Sequence, residues 1–451
     1  MEEVYIIGGG LAGCEAALQI AKKGIKVKLY EMKPNKYSPA HSNQDLAELV
    51  CSNSFKSNKI TNACGLLKEE LRILGSELIK IADSVKVPAG QALAVDRDEF
   101  AKKVTEEIEK NENIELIRKE ITKIPENKNV IIATGPLTSE GLINEILKLT
   151  GEKNLSFFDA AAPIIEKDSI NMDIAFYGDR YEQERGKEEE LEVWLERVGN
   201  QNPSYINLPM NKEEYEKFWT ELVNAEIVVL HNFEKKEIFE GCMPLEIMAK
   251  RGIDTLRFGP LKPVGFTDKR IGRRPYAIVQ LRQDNSQGTL YNMVGFQTNL
   301  KFGEQKRVFS MIPGLENANF EKYGVMHRNT YINSTQVLDE TYNLKNNRKI
   351  FFAGQITGVE GYVESIASGL TVGINMANKI LGEKPAIFPE ETVIGALAKY
   401  ISTPKEDFQP MNANFGILPT LNVKIKDKIE RYNKLAEKSL ESISDYQNSL
   451  R

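Results

Sequence analysis

The stretch Val4-Tyr5-Ile6-Ile7-Gly8-Gly9-Gly10-Leu11-Ala12-Gly13-Cys14-Glu15-Ala16-Ala17 decides the fold. A short apolar run enters a glycine turn and leaves it through helix-forming residues. Gly8, Gly10 and Gly13 satisfy G-x-G-x-x-G. The first glycine permits the tight turn, the second leaves the backbone open to a pyrophosphate, and the third lets the helix lie close on the sheet. The start of that helix offers free N–H groups and the positive end of its dipole to the phosphate. The motif alone is weak, and its surroundings strengthen it. Gly24 reads as the C-cap of a helix over residues 14–23, and Lys26-Val27-Lys28-Leu29-Tyr30 as a second strand ending in Glu31. Glu31 lies 18 positions after Gly13, where a carboxylate accepts hydrogen bonds from a ribose and argues against a 2′-phosphate. Gly8, Gly9, Gly10, Leu11, Ala12, Gly13 and Glu31 are therefore candidate contacts of a dinucleotide, FAD or NAD. An ordinary βαβ start without nucleotide is the alternative.

At 451 residues the chain exceeds one ordinary core, which predicts two domains. With 59 Lys and Arg against 64 Asp and Glu, the net charge of −5 excludes a global basic field, so any RNA site has to be a local patch. No apolar run reaches the length of a membrane span and no signal peptide precedes Val4, which predicts a cytoplasmic protein without membrane contact. The four cysteines, Cys14, Cys51, Cys64 and Cys242, form neither C-x-x-C nor a zinc spacing, and no metal is expected.

Residues 32–62 make a long irregular segment, a kind of loop that tends to be functional, and Cys51 sits inside it. The stripe Leu67, Leu71, Leu74, Leu78 and Ile81 predicts one amphipathic helix over residues 64–83, with Cys64 as a packing thiol at its start. A strand over 91–95, a helix over 97–110 and two short strands near Ile114 and Ile121 lead to the buried strand that begins at Asn129. Its end, Ala133-Thr134-Gly135, returns beside the dinucleotide. From about Phe157 alternating strands and aromatic residues replace the βα rhythm. The charge-dense residues 180–197 read as a solvated helix or mobile insertion. Cys242 is held at a turn between Gly241 and Pro244.

Residues 250–274 carry eight cations against Asp254 and Asp268 alone. On an acidic background this loop-rich surface reads as a phosphate-binding patch, with a solvated face as the alternative. Residues 349–365 then repeat the strand–glycine–helix arrangement through Gly354, Gln355, Glu360 and Gly361. NAD dehydrogenases lack such a late return of the dinucleotide domain, so FAD is favoured. A polar helix over 424–446 is expected to dock on the surface.

Further stretches complete a set: Cys51-Ser52-Asn53-Ser54, Gly241-Cys242-Met243-Pro244-Leu245-Glu246, Gly259-Pro260-Leu261-Lys262-Pro263-Val264-Gly265 and Arg274-Pro275-Tyr276-Ala277. So do Gly324-Val325-Met326-His327-Arg328-Asn329-Thr330, Gly358-Val359-Glu360-Gly361-Tyr362-Val363-Glu364-Ser365 and Phe408-Gln409-Pro410-Met411-Asn412-Ala413-Asn414-Phe415-Gly416. With these the chain resembles, over nearly its whole length, the bacterial folate- and FAD-dependent tRNA uracil-5-methyltransferases. The resemblance implies an α/β fold: a Rossmann-like, glutathione-reductase-like FAD-binding domain in two parts, residues 1–170 and 321–451. An inserted α+β domain, residues 171–320, carries Cys242 and the basic loops. The implied reaction moves the one-carbon unit of 5,10-methylenetetrahydrofolate via reduced FAD to C5 of a uridine in the tRNA T-loop, with NADH or NADPH as electron donor. Cys242 becomes the candidate thiolate that adds to uracil C6, and Cys51 the flavin-side thiol, a base at C5 or a guard of the flavin. The two roles are interchangeable at this level.

By the same resemblance Gly135, Gly354, Gln355, Glu360 and Gly361 join the FAD contacts. His327 and Arg282 are candidate folate contacts, and Arg257, Lys262, Arg270, Arg273 and Arg274 candidate RNA contacts. tRNA, folate and NAD(P)H are the implied partners, with no obligate protein partner. The alternatives are the same chemistry on ribosomal RNA, the related wobble-uridine-modifying flavoprotein, and a flavin NAD(P)H oxidoreductase. The charged stretch near 180–201 is longer than the family usually carries.

Overall fold

The computed structural model describes residues 2–151, 155–181, 184–186, 188–199, 203–228, 243–406, 408–423 and 425–449, with the backbone alone at 155–159, 199, 327 and 328. Gly8, at φ +109°, turns the strand Val4–Ile7 into the helix Leu11–Lys22. A Cβ at Gly8 would lie 2.5 Å from the Ala133 carbonyl oxygen, and one at Gly13 would collide with the Gly8 carbonyl. Both glycines are required by close approach. Around Val4–Ile7 six strands form a sheet in the spatial order Asn343–Leu344, Asn347–Phe352, Asn129–Ile132, Val4–Ile7, Val27–Glu31, Ile114–Arg118. All neighbours are parallel except the first pair. Asn129–Ile132 is buried throughout, as a parallel strand covered on both faces must be.

The helix Tyr362–Leu381 lies directly on Leu11–Lys22. Gly369 and Gly373 face the backbone of Ala12 and Ala16, and a Cβ at Gly373 would approach the Ala16 carbonyl oxygen to 2.9 Å. Small residues on both helices thus bring residues 350–381 back onto the first turn of the chain. A second, wholly antiparallel sheet follows the order Phe176–Tyr177, Tyr205–Met210, Ala277–Gln283, Leu290–Met293, Ile164–Glu166, Phe320–Lys322. Each sheet has its own core. One gathers residues between 4 and 146 with residues between 331 and 443, and the other draws on residues between 162 and 318. A two-stranded ladder, Leu155–Ala160 with Met326–Tyr331, is the crossover between them. Among the described residues no helix is long and apolar enough to cross a membrane.

Two local expectations are corrected. The leucine stripe over 64–83 is two helices, Ala63–Ile73 and Glu77–Ser84. Gly75 at φ +77° breaks the run, and Ser76 caps the second helix through Ile79 N at 3.3 Å. Glu15 on the dinucleotide helix completes the break, accepting from the Ser76 hydroxyl at 2.8 Å and Leu78 N at 2.9 Å. Near Ile121 no strand forms among the described residues. Pro125 lacks a ladder donor, and Asn127 at φ +56° turns the chain directly into Asn129–Ile132. The C-terminal helix, Lys428–Ser449, begins after Asp427, whose carboxylate caps Glu430 N at 2.7 Å.

Glu70 ties that last helix down. Fully buried, it accepts from Val393 N at 2.7 Å, Ile394 N at 2.9 Å and the Ser439 hydroxyl at 2.6 Å. Burial pushes its carboxyl from 4.5 up to about 7. The fold therefore binds this proton more tightly than the unfolded chain does. The stabilisation is complete below pH 4.5 and is lost as pH rises through 7. We expect the stability difference between wild type and Glu70→Gln, read from urea unfolding midpoints, to fall across that window. A difference that does not change with pH, or that rises, would show Glu70 ionised in the folded protein.

Candidate functional site

A cleft of about 1100 Å³ opens over the start of the dinucleotide helix. Gly8, Gly9, Gly10, Leu11, Ala12, Glu31, Gly135, Gly354 and Gln355 line it, as the sequence leads one to expect. The Glu31 carboxylate is aimed by two backbone donors, Gly9 N and Lys33 N, each at 2.9 Å. Gly10 is extended at φ −80°, and nothing stands within 4 Å of a Cβ built on it. That space lies over the free N–H groups at the helix start, where a pyrophosphate fits. Glycine turn, ribose acid and open cradle together suit FAD.

Three expected contacts stand behind the cleft instead of lining it. Gly13 packs against the Gly8 carbonyl. Glu360 is buried and accepts from Gln355 Nε2 at 2.6 Å, which fixes Gln355. Gly361, at φ +123°, starts the helix Tyr362–Leu381. The sequence reading missed Lys33 and Glu48, which line the cleft as a buried ion pair at 3.1 Å with side chains 4% and 10% exposed. Lys33 also donates to Asp45 O at 2.6 Å, so the irregular loop is pinned over the cleft. Only the length of that loop signals its role.

Cys51 sits between a wall residue of this cleft, Tyr362, and the second sheet. The Tyr362 hydroxyl, on the cleft wall, accepts from Cys51 N at 2.8 Å and Ser52 N at 3.1 Å. The Cys51 thiol faces Ala160 O at 3.7 Å. Asn53, fully buried, donates to Val95 O at 3.0 Å and Gln283 O at 2.8 Å, and its Oδ1 accepts from Arg282 Nε at 2.9 Å. Arg97 donates to Leu49 O at 3.0 Å and pairs with Asp284 at 2.9 Å. Three consecutive residues at the end of one strand of the second sheet, Arg282, Gln283 and Asp284, therefore hold the Cys51 loop. Both guanidinium groups, Arg97 and Arg282, stand close enough to interact with Cys51 electrostatically. Tyr362, Asn53 and Arg97 were not singled out from sequence. The first two lie inside the stretches 358–365 and 51–54 that carry the family resemblance, and that is their signal in sequence.

His327 reaches the same place by its backbone, which pairs opposite Asp159, next to Ala160. Its side chain lies outside the description, as do Gly241 and Cys242 entirely. Met243 and Pro244 lead into the helix Leu245–Ala249, where buried Glu246 accepts from Asn299 N at 2.8 Å. Cys14 and Cys64 are buried, and burial pushes both thiols up, Cys64 to about 12. Such thiols are inert.

The five expected RNA cations are not equivalent. Arg270 is bound to Asp268 at 2.9 Å and to Pro209 O at 3.0 Å, with Glu214 at 3.6 Å, so it braces the loop. Arg257 pairs with Asp254 and lies 3.6 Å over the Tyr276 ring, and Arg274 pairs with Glu184. Lys262 and Arg273 are exposed, and among the described residues neither has an ion pair. The charged stretch contributes Arg180, which donates to Lys262 O at 2.9 Å and Val264 O at 2.7 Å, and the helix Leu191–Gly199.

A family model described as glucose inhibited division protein A matches residues 3–384. The chain belongs to this family. It is 57% identical, over 99% of both chains, to the methylenetetrahydrofolate–tRNA-(uracil-5-)-methyltransferase TrmFO of Acetivibrio thermocellus. The proteins of the same name from Caldicellulosiruptor bescii and Bacillus pumilus are each 55% identical over 99% of both chains. The solved structure of Aquifex aeolicus GidA, 19% identical, superposes with a TM-score of 0.67 over 99% of this chain and 78% of that one. That likeness concerns the fold, which is the Rossmann-like FAD-binding fold of this family.

Because the space beside Gly10 is open, a side chain there competes with the cofactor and not with the fold. Gly10→Val should keep the unfolding midpoint of the cofactor-free protein and lose the flavin absorbance of the purified wild type. A Gly10→Val protein that retains stoichiometric FAD would refute this cleft as the site.

Proposed function

We propose that this chain transfers the one-carbon unit of 5,10-methylenetetrahydrofolate to C5 of a tRNA uridine, giving 5-methyluridine. One observation carries the reading: Cys51 is fixed by Tyr362, a wall residue of the dinucleotide cleft, and tied through Asn53 to the second sheet. It does so in a chain that spans 99% of relatives named for that reaction. Bound FAD would supply the carrier and the reductant for the one-carbon unit, with NADH or NADPH as the source of electrons.

The protein's own part follows from the chemistry of uracil, whose C5 is a poor nucleophile. A thiolate that adds to C6 places an electron pair on C5, which then attacks the one-carbon electrophile. The C5 proton leaves to a base, the bond between the carbon and its carrier breaks, a hydride equivalent from the reduced cofactor would take that carbon to methyl, and elimination of the thiolate restores the ring. We assign the C6 thiolate to Cys242 and the flavin-side role, base or guard, to Cys51. Glu31 holds the ribose and the start of the Leu11–Lys22 helix holds the pyrophosphate. His327 and Arg282 are assigned to the folate. Arg282 supports this through its place beside the Cys51 loop. A uridine in the T-loop of tRNA is the proposed target, and the cytoplasm the proposed compartment.

Incubation with labelled methylenetetrahydrofolate and total RNA should put the label into 5-methyluridine of tRNA. Label in ribosomal RNA would replace the substrate, and none in RNA would overturn the reading. RNA containing 5-fluorouridine has no C5 proton to lose, so wild type should form a covalent adduct that survives denaturation and Cys242→Ala none. A cross-linked peptide containing Cys51 in place of Cys242 would reverse the two roles.

A further inference from the structure

A second concavity, about 1270 Å³, lies on the inserted domain at the opposite end of the strand Ala277–Gln283 from the Cys51 loop. Lys212, Arg257, Lys262, Arg273 and Arg274 line it, and no acidic residue does. In a chain of net charge −5 this is a local inversion of sign. At its wall stands Phe258, 83% exposed, the largest value among the exposed large hydrophobic residues described. Its backbone is not loose. Phe258 ends the helix Thr255–Phe258, whose Leu256 is fully buried, and Leu261 is fully buried just beyond. The ring is therefore presented to solvent by anchored chain on both sides. Beside it Arg257 lies over the Tyr276 ring at 3.6 Å and donates from Nε to Tyr276 O at 2.9 Å. The ion pairs of Arg257 with Asp254 and Arg274 with Glu184 are partly exposed, and partly exposed pairs exchange readily for phosphate.

We propose that this groove grips the phosphate backbone of the RNA substrate and that Phe258 stacks on an unpaired base of it. The proposal rests on the functional reading above and adds where, and by what contacts, the RNA is held. A protein partner fits less well, because protein interface cores are depleted in charged residues, and five cations with no acidic residue line this groove. A regular duplex fits less well too, since its bases are already stacked. Folded RNA offers phosphates together with unstacked loop bases. The spacing agrees. Tyr276 at the groove, just before the strand, and Arg282 on it beside the Cys51 loop are six residues apart, or about 20 Å at ~3.3 Å per residue. One structured RNA can span both, with its target uridine at the cleft.

The test uses the full-length protein with FAD and a tRNA transcript, at several salt concentrations. Phe258→Ala should raise the KM for tRNA by about 5- to 150-fold, the range for removing one base–aromatic stack, with the loss falling on KM more than on kcat. Phe258→Trp should restore it. Lys262→Gln with Arg273→Gln should lower the slope of log affinity against log salt by roughly 1.4 to 1.8. FAD content and the unfolding midpoint show that each variant is folded. If wild type methylates tRNA while Phe258→Ala keeps its KM and the double variant its slope, the groove assignment fails alone. If wild type methylates no tRNA, the functional reading fails. If Phe258→Ala changes the sedimentation of the protein and not its tRNA affinity, the face belongs to a second copy of the chain and the proposal is overturned.

Discussion

Everything at the site depends on how closely two helices approach. Leu11–Lys22 and Tyr362–Leu381 meet through Ala12, Ala16, Gly369 and Gly373, where any larger side chain would strike backbone. That contact joins the first helix of the chain to one that begins at Tyr362. It sets Gly354 beside Ala12, with 3.0 Å between the Ala12 methyl and a Cβ built on Gly354, and so closes the cleft that Gly8 and Gly10 open. It also delivers Tyr362, the first residue of the later helix, to the cleft wall. The thiol loop is then fixed by a hydroxyl that the helix contact has positioned.

The loop around Cys51 has little regular structure, so its backbone groups need side-chain partners. Tyr362 takes two N–H groups, Arg97 reaches the Leu49 carbonyl, and the Asn53 amide bridges Val95 O and Gln283 O. The Arg97–Asp284 pair is nearly buried, with side chains 11% and 5% exposed. Removing one partner of such a pair leaves an uncompensated buried charge and is strongly destabilising. The pair joins the Cys51 loop to the end of the second sheet.

What the sequence made legible was local or periodic. The glycine turn, Glu31 and the buried strands follow from spacings of a few residues, and the structure keeps them. Gly75 and Ser76 were readable as a break, yet the leucine stripe runs across it, because periodicity reports which face is buried and not where caps fall. The RNA cations show the opposite limit. Arg270 and Arg273 look alike in sequence, but Arg270 is taken up by Asp268, by Glu214 and by a carbonyl 61 residues away. Arg274 finds Glu184 at a separation of 90. A count of charges cannot see such distant partners. Tyr362 was hidden for the same reason, since its partner Cys51 lies 311 residues earlier.

The strand Ala277–Gln283 connects the two chemistries. Its far end, Arg282 and Gln283, holds the loop of the thiol, and its near end leaves the basic groove at Tyr276. It is hydrogen-bonded on both sides, to Tyr205–Met210 and to Leu290–Met293, so the separation of groove and thiol is rigid. A rigid separation selects by shape. An acidic chain repels polyanions in general. The attraction of a small cationic groove therefore counts only for an RNA that can also reach the cleft. Specificity then comes from the difference between an RNA that meets both points and one that meets either alone.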